Sequence, residues 1–297
     1  MSANRTLTAV AGIKVGHWTD PVAMTGCTVV DLPEPNVAAV ETRGAAPGSR
    51  ETALLEPGML VEQVQAIVLC GGSAFGLAAA DGVMSELERV GRGHPTQAGP
   101  VPIVPAAVVY DLAEGDAAVR PRPEHGVAAF RDASPAPVAS GRVGAGAGCT
   151  VAKWRGLRLP GGVGSWAVEG DGFTVGALVV LNAVGDVFSL EGRSLTGGPA
   201  VPGVPRRSPA AGENTTLVVV ATDARIGRAD LTRLAVRSHD ALAVCIRPVH
   251  TRFDGDTCFA VSCGSGDAGV DEVAEAAFEA VGRAVEAAVG ATGVSFG

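Results

Sequence analysis

The chain has 297 residues, of which 47% are hydrophobic, and this is enough to bury the core of one large domain or two smaller ones. Its formal net charge of -8, with no cluster of lysine or arginine, argues against a nucleic-acid-binding surface, because phosphate recognition needs concentrated positive charge. The 41 glycines indicate many tight turns and close backbone contacts, and they argue against a helical bundle.

The N-terminal residues 1–8 lack the apolar core of a signal peptide, and no apolar run approaches the roughly 18 residues of a membrane span. The six cysteines form no C-x-x-C pair and no spacing typical of zinc sites: Cys27, Cys70, Cys149, Cys245, Cys258 and Cys263. Several stand within apolar runs, which indicates buried thiols in a reducing compartment. We therefore expect a cytoplasmic protein with no metal, no membrane partner and no nucleic-acid partner.

The first predicted elements are a strand at Ala66–Cys70, a glycine turn and a helix at 75–90, where apolar residues recur at helical spacing. Further apolar runs predict strands at 101–104, Thr174–Asn182, 217–221 and 259–262. Helical periodicity predicts helices at 229–243 and 270–288, and the second carries an apolar stripe that should pack on a sheet. This mixture predicts a layered α/β or α+β domain.

Residues 193–212 are typical of a mobile linker, since eight of the twenty are proline or glycine. The residues Asn214, Thr215 and Thr216 follow, ahead of the apolar run at 217–221. In one interpretation the threonines simply open a β-strand after a surface loop. In the other, the chain cuts itself before Thr215, and the linker lets the old carboxyl end move away.

An N-terminal threonine would carry its own general base, because an α-amino group titrates near pKa 7.7 to 8.0 and lies within reach of its own Oγ. No histidine would then be required. The five histidines form no H-E-x-x-H motif and stand in no recognisable triad context: His17, His94, His125, His239 and His250.

Six segments, taken in order, carry a resemblance to a known enzyme family: GIKVGHWTD at 12–20, TGCTVV at 25–30, RGAAPG at 43–48, LCGGSAFGL at 69–77, NTT at 214–216 with VVATDA at 219–224, and FDGDT at 253–257. Together they resemble the L-aminopeptidase/D-esterases, β-aminopeptidases and endo-type nylon-oligomer hydrolases of peptidase family S58. Many members have serine as the nucleophile, so Thr215 places this chain nearer the threonine-bearing nylon-hydrolase branch.

The resemblance implies a four-layer α-β-β-α sandwich of the self-processing N-terminal-nucleophile type, with 1–297 as a single hydrolase domain. Cleavage between Asn214 and Thr215 would give subunits 1–214 and 215–297, with Thr215 as the nucleophile. The implied activity is hydrolysis of amide or ester bonds in short peptides or amide oligomers through an acyl-enzyme. The implied assembly is a homo-oligomer, a tetramer of processed units.

The resemblance also implies roles for other residues. Asp254 and Asp256 match an acidic pair that holds the nucleophile's amino group, and paired carboxylates can orient an ammonium and tune its pKa. Asn182 matches an asparagine near the oxyanion, Lys153 a lysine beside the nucleophile, and Tyr110 a tyrosine that contacts the oxyanion. Simpler interpretations stay open: a hairpin turn at Asp254, a turn cap at Asn182 and a solvent-exposed Lys153.

Two other functions remain open from the sequence. In one, the same sandwich stays uncut and serves as a binding or assembly protein; the retention of Thr215, Asp254 and Asp256 argues against this hypothesis without excluding it. A self-processing acyltransferase similar to the ornithine acetyltransferases also cleaves before a threonine, but their M-A-T-M-L context is missing here. The glycines at 144–148 lack the third glycine of a dinucleotide site, so no cofactor is predicted.

Overall fold

The computed structural model describes residues 4–205 and 213–291. Within these ranges the chain forms sixteen strands, numbered in chain order: β1 (Lys14–Asp20), β2 (Thr25–Asp31), β3 (Val37–Thr42), β4 (Ser49–Arg50), β5 (Ala66–Cys70), β6 (His94–Thr96), β7 (Gly99–Val101), β8 (Ala106–Val108), β9 (Thr150–Val151), β10 (Leu159–Pro160), β11 (Gly162–Glu169), β12 (Thr174–Asn182), β13 (Asp186–Val187), β14 (Thr215–Ala224), β15 (Ile246–Arg247) and β16 (Thr257–Gly266). The same ranges contain four α-helices: α1 (Ala79–Arg89), α2 (Pro123–Asp132), α3 (Arg228–Cys245) and α4 (Val270–Gly290).

Two five-stranded sheets form the centre of the fold. The first has the strand order β1-β2-β5-β8-β4, and the second has the order β11-β12-β14-β16-β3. Neighbouring strands in both sheets are antiparallel, apart from the parallel pairs β5 with β8 and β14 with β16. The longest strands, β12, β14 and β16, therefore lie side by side in the middle of the second sheet.

The side chains of the central strands alternate between two apolar layers, as the period of two in a β-strand requires. Leu217 and Val219 of β14 join Ile67 of β5 in a core between the two sheets. Val218 and Val220 of β14 point the other way and pack with α3 and α4. The outer face of the first sheet packs on α1 and α2. These layers confirm the predicted α-β-β-α sandwich.

Most of the elements predicted from apolar patterns are confirmed. The strands at Ala66–Cys70 and Thr174–Asn182 have the predicted bounds, and the predicted runs at 217–221 and 259–262 lie within β14 and β16. The predicted helix at 75–90 begins as a 3₁₀ turn, Ser73–Ala78, and continues as α1. None of the helices in the described ranges combines the length and apolar character needed to cross a bilayer.

The strand predicted at 101–104 is wrong. Val101 ends β7, and the next strand, β8, begins only at Ala106. The N–H of Ile103 donates to the side-chain oxygen of Gln65 (2.9 Å), and that of Val104 donates to a carboxylate oxygen of Glu51 (3.0 Å). Side chains thus take the hydrogen bonds that a neighbouring strand would otherwise make.

The predicted linker at 193–212 lies partly outside the described residues. Its first part is held on the fold, because Thr196 is buried and its hydroxyl donates to Oδ1 of Asp186 (2.8 Å). The guanidinium of Arg155 donates both to Asp186 and to the carbonyl oxygen of Thr196 (2.8 Å). This part of the segment is therefore fixed, in contrast to the mobile linker that its composition predicts.

Candidate active site

Asn182 and Thr215 lie opposite each other where two central strands meet. Asn182 is the last residue of β12, Thr215 is the first residue of β14, and the two are direct partners in the antiparallel pairing. Asn182 is fully buried, and Thr215 is only 4% exposed. The apolar run that follows Thr215 fills the sheet and thereby fixes the position of both polar residues at its end.

The peptide bond between Asn214 and Thr215 is enclosed by hydrogen-bond donors. The hydroxyl of Thr215 lies 2.5 Å from the carbonyl oxygen of Asn214, and the N–H of Gly255 donates to the same oxygen at 3.0 Å. A short parallel bridge between Asn214 and Asp254 brings Gly255 to this position. The carbonyl group is therefore polarised by a backbone N–H while a hydroxyl stands beside it.

Both the oxygen and the nitrogen of the Asn182 side-chain amide make hydrogen bonds. Its Oδ1 accepts hydrogen bonds from the N–H of Thr150 (3.0 Å) and from Nζ of Lys153 (2.9 Å). Its Nδ2 donates to the carbonyl oxygens of Tyr110 (3.1 Å) and Glu213 (3.2 Å). These contacts fix which end of the amide faces the chain just before the candidate cleavage bond.

Lys153 lies beside the candidate nucleophile rather than in open solvent, which excludes the simple surface interpretation. Its Nζ donates to both oxygens of Asn182 and to the carbonyl oxygen of Glu213 (3.3 Å). Ala152 precedes it in the left-handed region, with φ of 64°, and so turns Lys153 inward. Burial lowers the pKa of Lys153 to about 8.

Tyr110 follows β8 and is half-buried. The structure connects it to the site through its backbone, because its carbonyl oxygen accepts the hydrogen bond from Nδ2 of Asn182. The resemblance had instead implied a role for its side chain. That role for the hydroxyl stays a prediction.

The two acidic residues have different partners, and both are buried. Oδ1 of Asp256 accepts the N–H of Thr216 at 2.6 Å, directly after the candidate nucleophile. Oδ2 of Asp254 accepts the N–H (2.8 Å) and the hydroxyl (2.6 Å) of Thr251. Burial, and then the nearby Asp256 carboxylate, raise the pKa of Asp254 to about 6.

The segment 43–48 holds the segment 254–256, which carries the two acidic residues, in place. The N–H of Arg43 donates to the carbonyl oxygen of Asp256 (2.7 Å), and that of Ala46 donates to the carbonyl oxygen of Asp254 (3.0 Å). Gly44 has φ of +98°, and a Cβ there would lie 2.3 Å from the carbonyl oxygen of Asp254. Two of the motifs that carried the resemblance are thus in contact, which explains why the turn needs glycine.

His250 is a residue that the sequence analysis did not select. Its Nδ1 lies 2.7 Å from Oδ2 of Asp256, and its ring packs edge-on against His239, with the ring centroids 4.8 Å apart. The sequence offers only one indication of a role for His250, which is that it precedes Asp256 by six residues. No known motif includes that spacing. Among the described residues, no group of three or more histidine, cysteine or acidic side chains is arranged to hold a metal ion.

Comparison with known sequences identifies relatives over most of the chain. The profile described as peptidase family S58 matches residues 5–295. A protein named as an uncharacterized aminopeptidase of Mycobacterium leprae is 43% identical over 296 residues, covering 88% of this chain and 79% of that protein. A 6-aminohexanoate-oligomer endohydrolase of Paenarthrobacter ureafaciens is 32% identical over 271 residues, covering 84% of this chain and 73% of that protein.

Solved structures share the fold. A β-aminopeptidase of Burkholderia sp. matches with a TM-score of 0.74 and 22% identity, covering 97% of this chain and 87% of that chain. An L-aminopeptidase D-Ala-esterase/amidase of Ochrobactrum anthropi matches with a TM-score of 0.74 and 22% identity, covering 98% of this chain and 87% of that chain. The latter is described as a variant of the Ntn hydrolase fold, so the predicted fold type is confirmed.

Proposed function

Because the chain belongs to peptidase family S58, and is therefore a hydrolase of peptide or amide bonds, we propose that it processes itself and uses Thr215 as its nucleophile. One observation carries the proposal. The Thr215 hydroxyl stands 2.5 Å from the carbonyl oxygen of Asn214, and the Gly255 N–H donates to that same oxygen. The nucleophile and an oxyanion donor are thus present at one peptide bond.

Maturation proceeds by an N-to-O acyl shift. Oγ of Thr215 loses its proton and attacks the carbonyl carbon of Asn214, and the Gly255 N–H stabilises the oxyanion that forms. The C–N bond then breaks, the amide nitrogen takes up the proton, and Asn214 is left as an ester on Oγ. The nitrogen is now the free α-amino group of Thr215, and water hydrolyses the ester, which releases the Asn214 carboxylate and restores the Thr215 hydroxyl.

Cleavage supplies two things that the uncut chain lacks. Thr215 is 4% exposed in the uncut chain, so a substrate amide has little access to its hydroxyl. Its nitrogen is part of a peptide bond and has no basic lone pair. Removal of the preceding residues opens the site and creates an α-amino group that titrates in the neutral range.

Cleavage also releases donors for the substrate. Nδ2 of Asn182 and Nζ of Lys153 both donate to the carbonyl oxygen of Glu213 in the uncut chain. When Glu213 withdraws, both donors face the space beside the Thr215 hydroxyl. They are suitably placed to stabilise the oxyanion of a substrate amide.

Turnover then follows the same chemistry with an external amide. The Thr215 amino group takes the proton of its own hydroxyl, and Oγ attacks the substrate carbonyl carbon. The C–N bond breaks, the leaving amine takes the proton, and the acyl group stays on Oγ until water hydrolyses the ester. The acidic pair Asp254 and Asp256 holds the new amino end of β14. Between turnovers, the two carboxylates favour the protonated form of the Thr215 amino group.

The measurement that tests the proposal is the intact mass of the purified protein under denaturing conditions. We expect two species, 1–214 and 215–297, from the unchanged chain and from Thr215→Ser. We expect one uncut species from Thr215→Ala, because that variant lacks the attacking oxygen. A Thr215→Ala chain that still separates into these two fragments would overturn the proposal.

The named relatives suggest the substrate classes to assay. We propose that the processed enzyme acts at the amino end of short peptides, or on amide oligomers such as 6-aminohexanoate oligomers, in the cytoplasm. L-alanine, D-alanine and β-alanine p-nitroanilides and the 6-aminohexanoate dimer are suitable probes. We also propose a homotetramer of processed units, and native mass spectrometry of the cleaved protein tests this assembly.

A further inference from the structure

His250 binds one oxygen of Asp256 twice. Its Nδ1 lies 2.7 Å from Oδ2 of Asp256, and its backbone N–H donates to the same oxygen at 3.2 Å. The backbone of His250 has a φ of 53°, which lies in the left-handed region. Such a conformation is uncommon for a residue other than glycine, although histidine is one of the enriched exceptions.

The partners of the His250 ring determine its proton content. Nδ1 faces a carboxylate oxygen of Asp256, and Nε2 lies 3.4 Å from the carbonyl oxygen of His239. The Asp256 oxygen that faces Nδ1 also accepts the backbone N–H of His250, as expected for a carboxylate oxygen that acts as an acceptor. Nδ1 of His250 therefore carries a proton and donates it to Asp256.

Other titratable groups lie near His250. Asp254 and Asp256 follow it on the same segment of the chain. His239 faces the ring from α3, but burial lowers the pKa of His239 to about 4, so it brings no positive charge. From the end of β3, the backbone of Glu41 accepts from His239, and Arg43 lies farther along the same turn.

Asp256 connects His250 to the first residues of β14. The pairing of β14 with β16 begins only at Leu217 and Thr257, so the N–H of Thr216 has no partner strand on that side. Oδ1 of Asp256 takes this N–H at 2.6 Å, while Oδ2 is held by His250. Asp256 thus substitutes for the missing strand, and His250 determines where its carboxylate points.

We propose that His250 is a positioning residue for the hydrolase reaction: its ring Nδ1 and its backbone N–H hold Asp256 against the Thr216 N–H, and thereby fix the end of β14 that carries the nucleophile. Before cleavage this contact aligns Thr215 with the carbonyl of Asn214. After cleavage β14 begins at Thr215, and a free strand end frays unless it is held. His250 acts through Asp256 and does not touch the substrate. The inference rests on the proposed function.

The first test compares three full-length chains: the unchanged chain, His250→Ala and His250→Asn. We expect His250→Ala to lower the rate of self-cleavage, and kcat for the best p-nitroanilide, by about 10- to 100-fold, because misplaced reacting groups cost rates of that order. KM should change less than threefold. Asparagine tolerates the left-handed region and offers an Nδ2 donor, so His250→Asn should recover at least part of the loss.

His239→Ala is the matched control. It removes the ring that packs on His250 but leaves the His239 carbonyl oxygen and Asp256 in place. We expect a lower melting temperature, with kcat per folded molecule within threefold of the unchanged enzyme. A merely structural role for His250 would instead make the His250 and His239 variants behave alike.

The second test measures the ring nitrogens directly by ¹⁵N NMR of histidine-labelled protein at neutral pH, with His250→Asn used for assignment. We expect Nδ1 of His250 to carry a proton that is hydrogen-bonded to Asp256, and only Nε2 of His239 to carry a proton. An Nδ1 of His250 without a proton overturns the inference even if His250→Ala does not fold. Unchanged self-cleavage and kcat in His250→Ala also overturn the inference. Failure of the proposed function is distinguished from this result by a separate measurement, the cleavage of the Thr215→Ala chain.

Discussion

The backbone N–H of Gly255 donates to the carbonyl oxygen of Asn214 across 3.0 Å, from the segment that also carries Asp254 and Asp256. The amide of Asn182 does not make this contact, because its Nδ2 donates one residue earlier, to the carbonyl oxygen of Glu213. Different donors therefore face the two successive carbonyl groups before Thr215, the proposed nucleophile. We infer that self-cleavage and turnover use different oxyanion donors.

The first prediction concerns the Gly255 N–H. Replacing the amide between Asp254 and Gly255 by an ester, through incorporation of glycolic acid at 255, removes the donor without adding atoms. Loss of one oxyanion donor costs about 100- to 1,000-fold in rate in other hydrolases, and we expect self-cleavage to slow by at least 10-fold. The measurement is the time course of fragment appearance during cell-free synthesis.

An ester at 46 is the control for this change. The ester at 255 also weakens the carbonyl oxygen of Asp254, which accepts the N–H of Ala46. Lactic acid in place of Ala46 removes that contact but leaves the Gly255 N–H intact. If the chain with the ester at 46 slows as much as the chain with the ester at 255, the effect comes from loop docking and not from the oxyanion.

How much of this site the sequence predicts depends on the kind of contact. Thr215 and Asn182 stand at the ends of continuous apolar runs, and such runs predict buried strands that these residues begin or end. Their pairing in register follows from the strands themselves. Asp254, Asp256 and Lys153 were available only through the resemblance, since a turn or a surface lysine would look the same.

The remainder depends on backbone geometry that residue types do not encode. The donor from Gly255 is a main-chain N–H, and any residue at 255 except proline would have one. His250 reaches Asp256 because it adopts a left-handed conformation after β15, and no local pattern predicts that. The wrong prediction of a strand at 101–104 has a different origin, since side chains of Gln65 and Glu51, distant in sequence, accept the N–H groups of Ile103 and Val104.

The second prediction separates Asn182 from Tyr110. Asn182→Asp should abolish turnover, because an ionised carboxylate cannot donate to a substrate oxyanion. It should only slow self-cleavage, through loss of the contacts to the carbonyl oxygens of Tyr110 and Glu213. Tyr110→Phe should cleave itself normally, because its backbone carbonyl is retained. Intact mass and p-nitroanilide turnover of both variants check this. Loss of turnover in a normally cleaved Tyr110→Phe would assign its hydroxyl a direct role with substrate.

The third prediction concerns the charge of Lys153. Burial lowers the pKa of Lys153 to about 8, so its positive charge is lost as the pH rises above that value. We expect the rate of self-cleavage to fall between pH 8 and 10 as the contact with Asn182 and Glu213 weakens. In Lys153→Arg the guanidinium stays charged, so the fall should disappear, although the larger group lowers the rate overall.

Fragment formation after transfer of newly made chains into buffers from pH 6 to 10 measures this dependence. Lys153→Met supplies the uncharged reference, and its rate should be low at every pH. A decline above pH 8 that persists unchanged in Lys153→Arg would assign the ionisation to another group.

The last prediction links Asp254 to stability. Its pKa is raised to about 6 in the folded chain, against 3.8 for an ordinary aspartate, so the folded state binds this proton more tightly than the unfolded state. The free energy of unfolding should therefore fall as the pH rises from about 4 to about 6, by at most about 3 kcal/mol from this group. Asp254→Asn, made in the uncut Thr215→Ala chain, removes the buried charge and keeps an acceptor for Thr251. It should raise stability at pH 7.5 but not at pH 4, as measured by urea unfolding with tryptophan fluorescence.

Asp256→Asn in the same background is the control. It should lower stability at pH 7.5, because an amide can accept at only one end, whereas the Asp256 carboxylate accepts from Thr216 at one oxygen and from His250 at the other. Equal pH dependence with and without the Asp254 carboxyl would contradict the prediction.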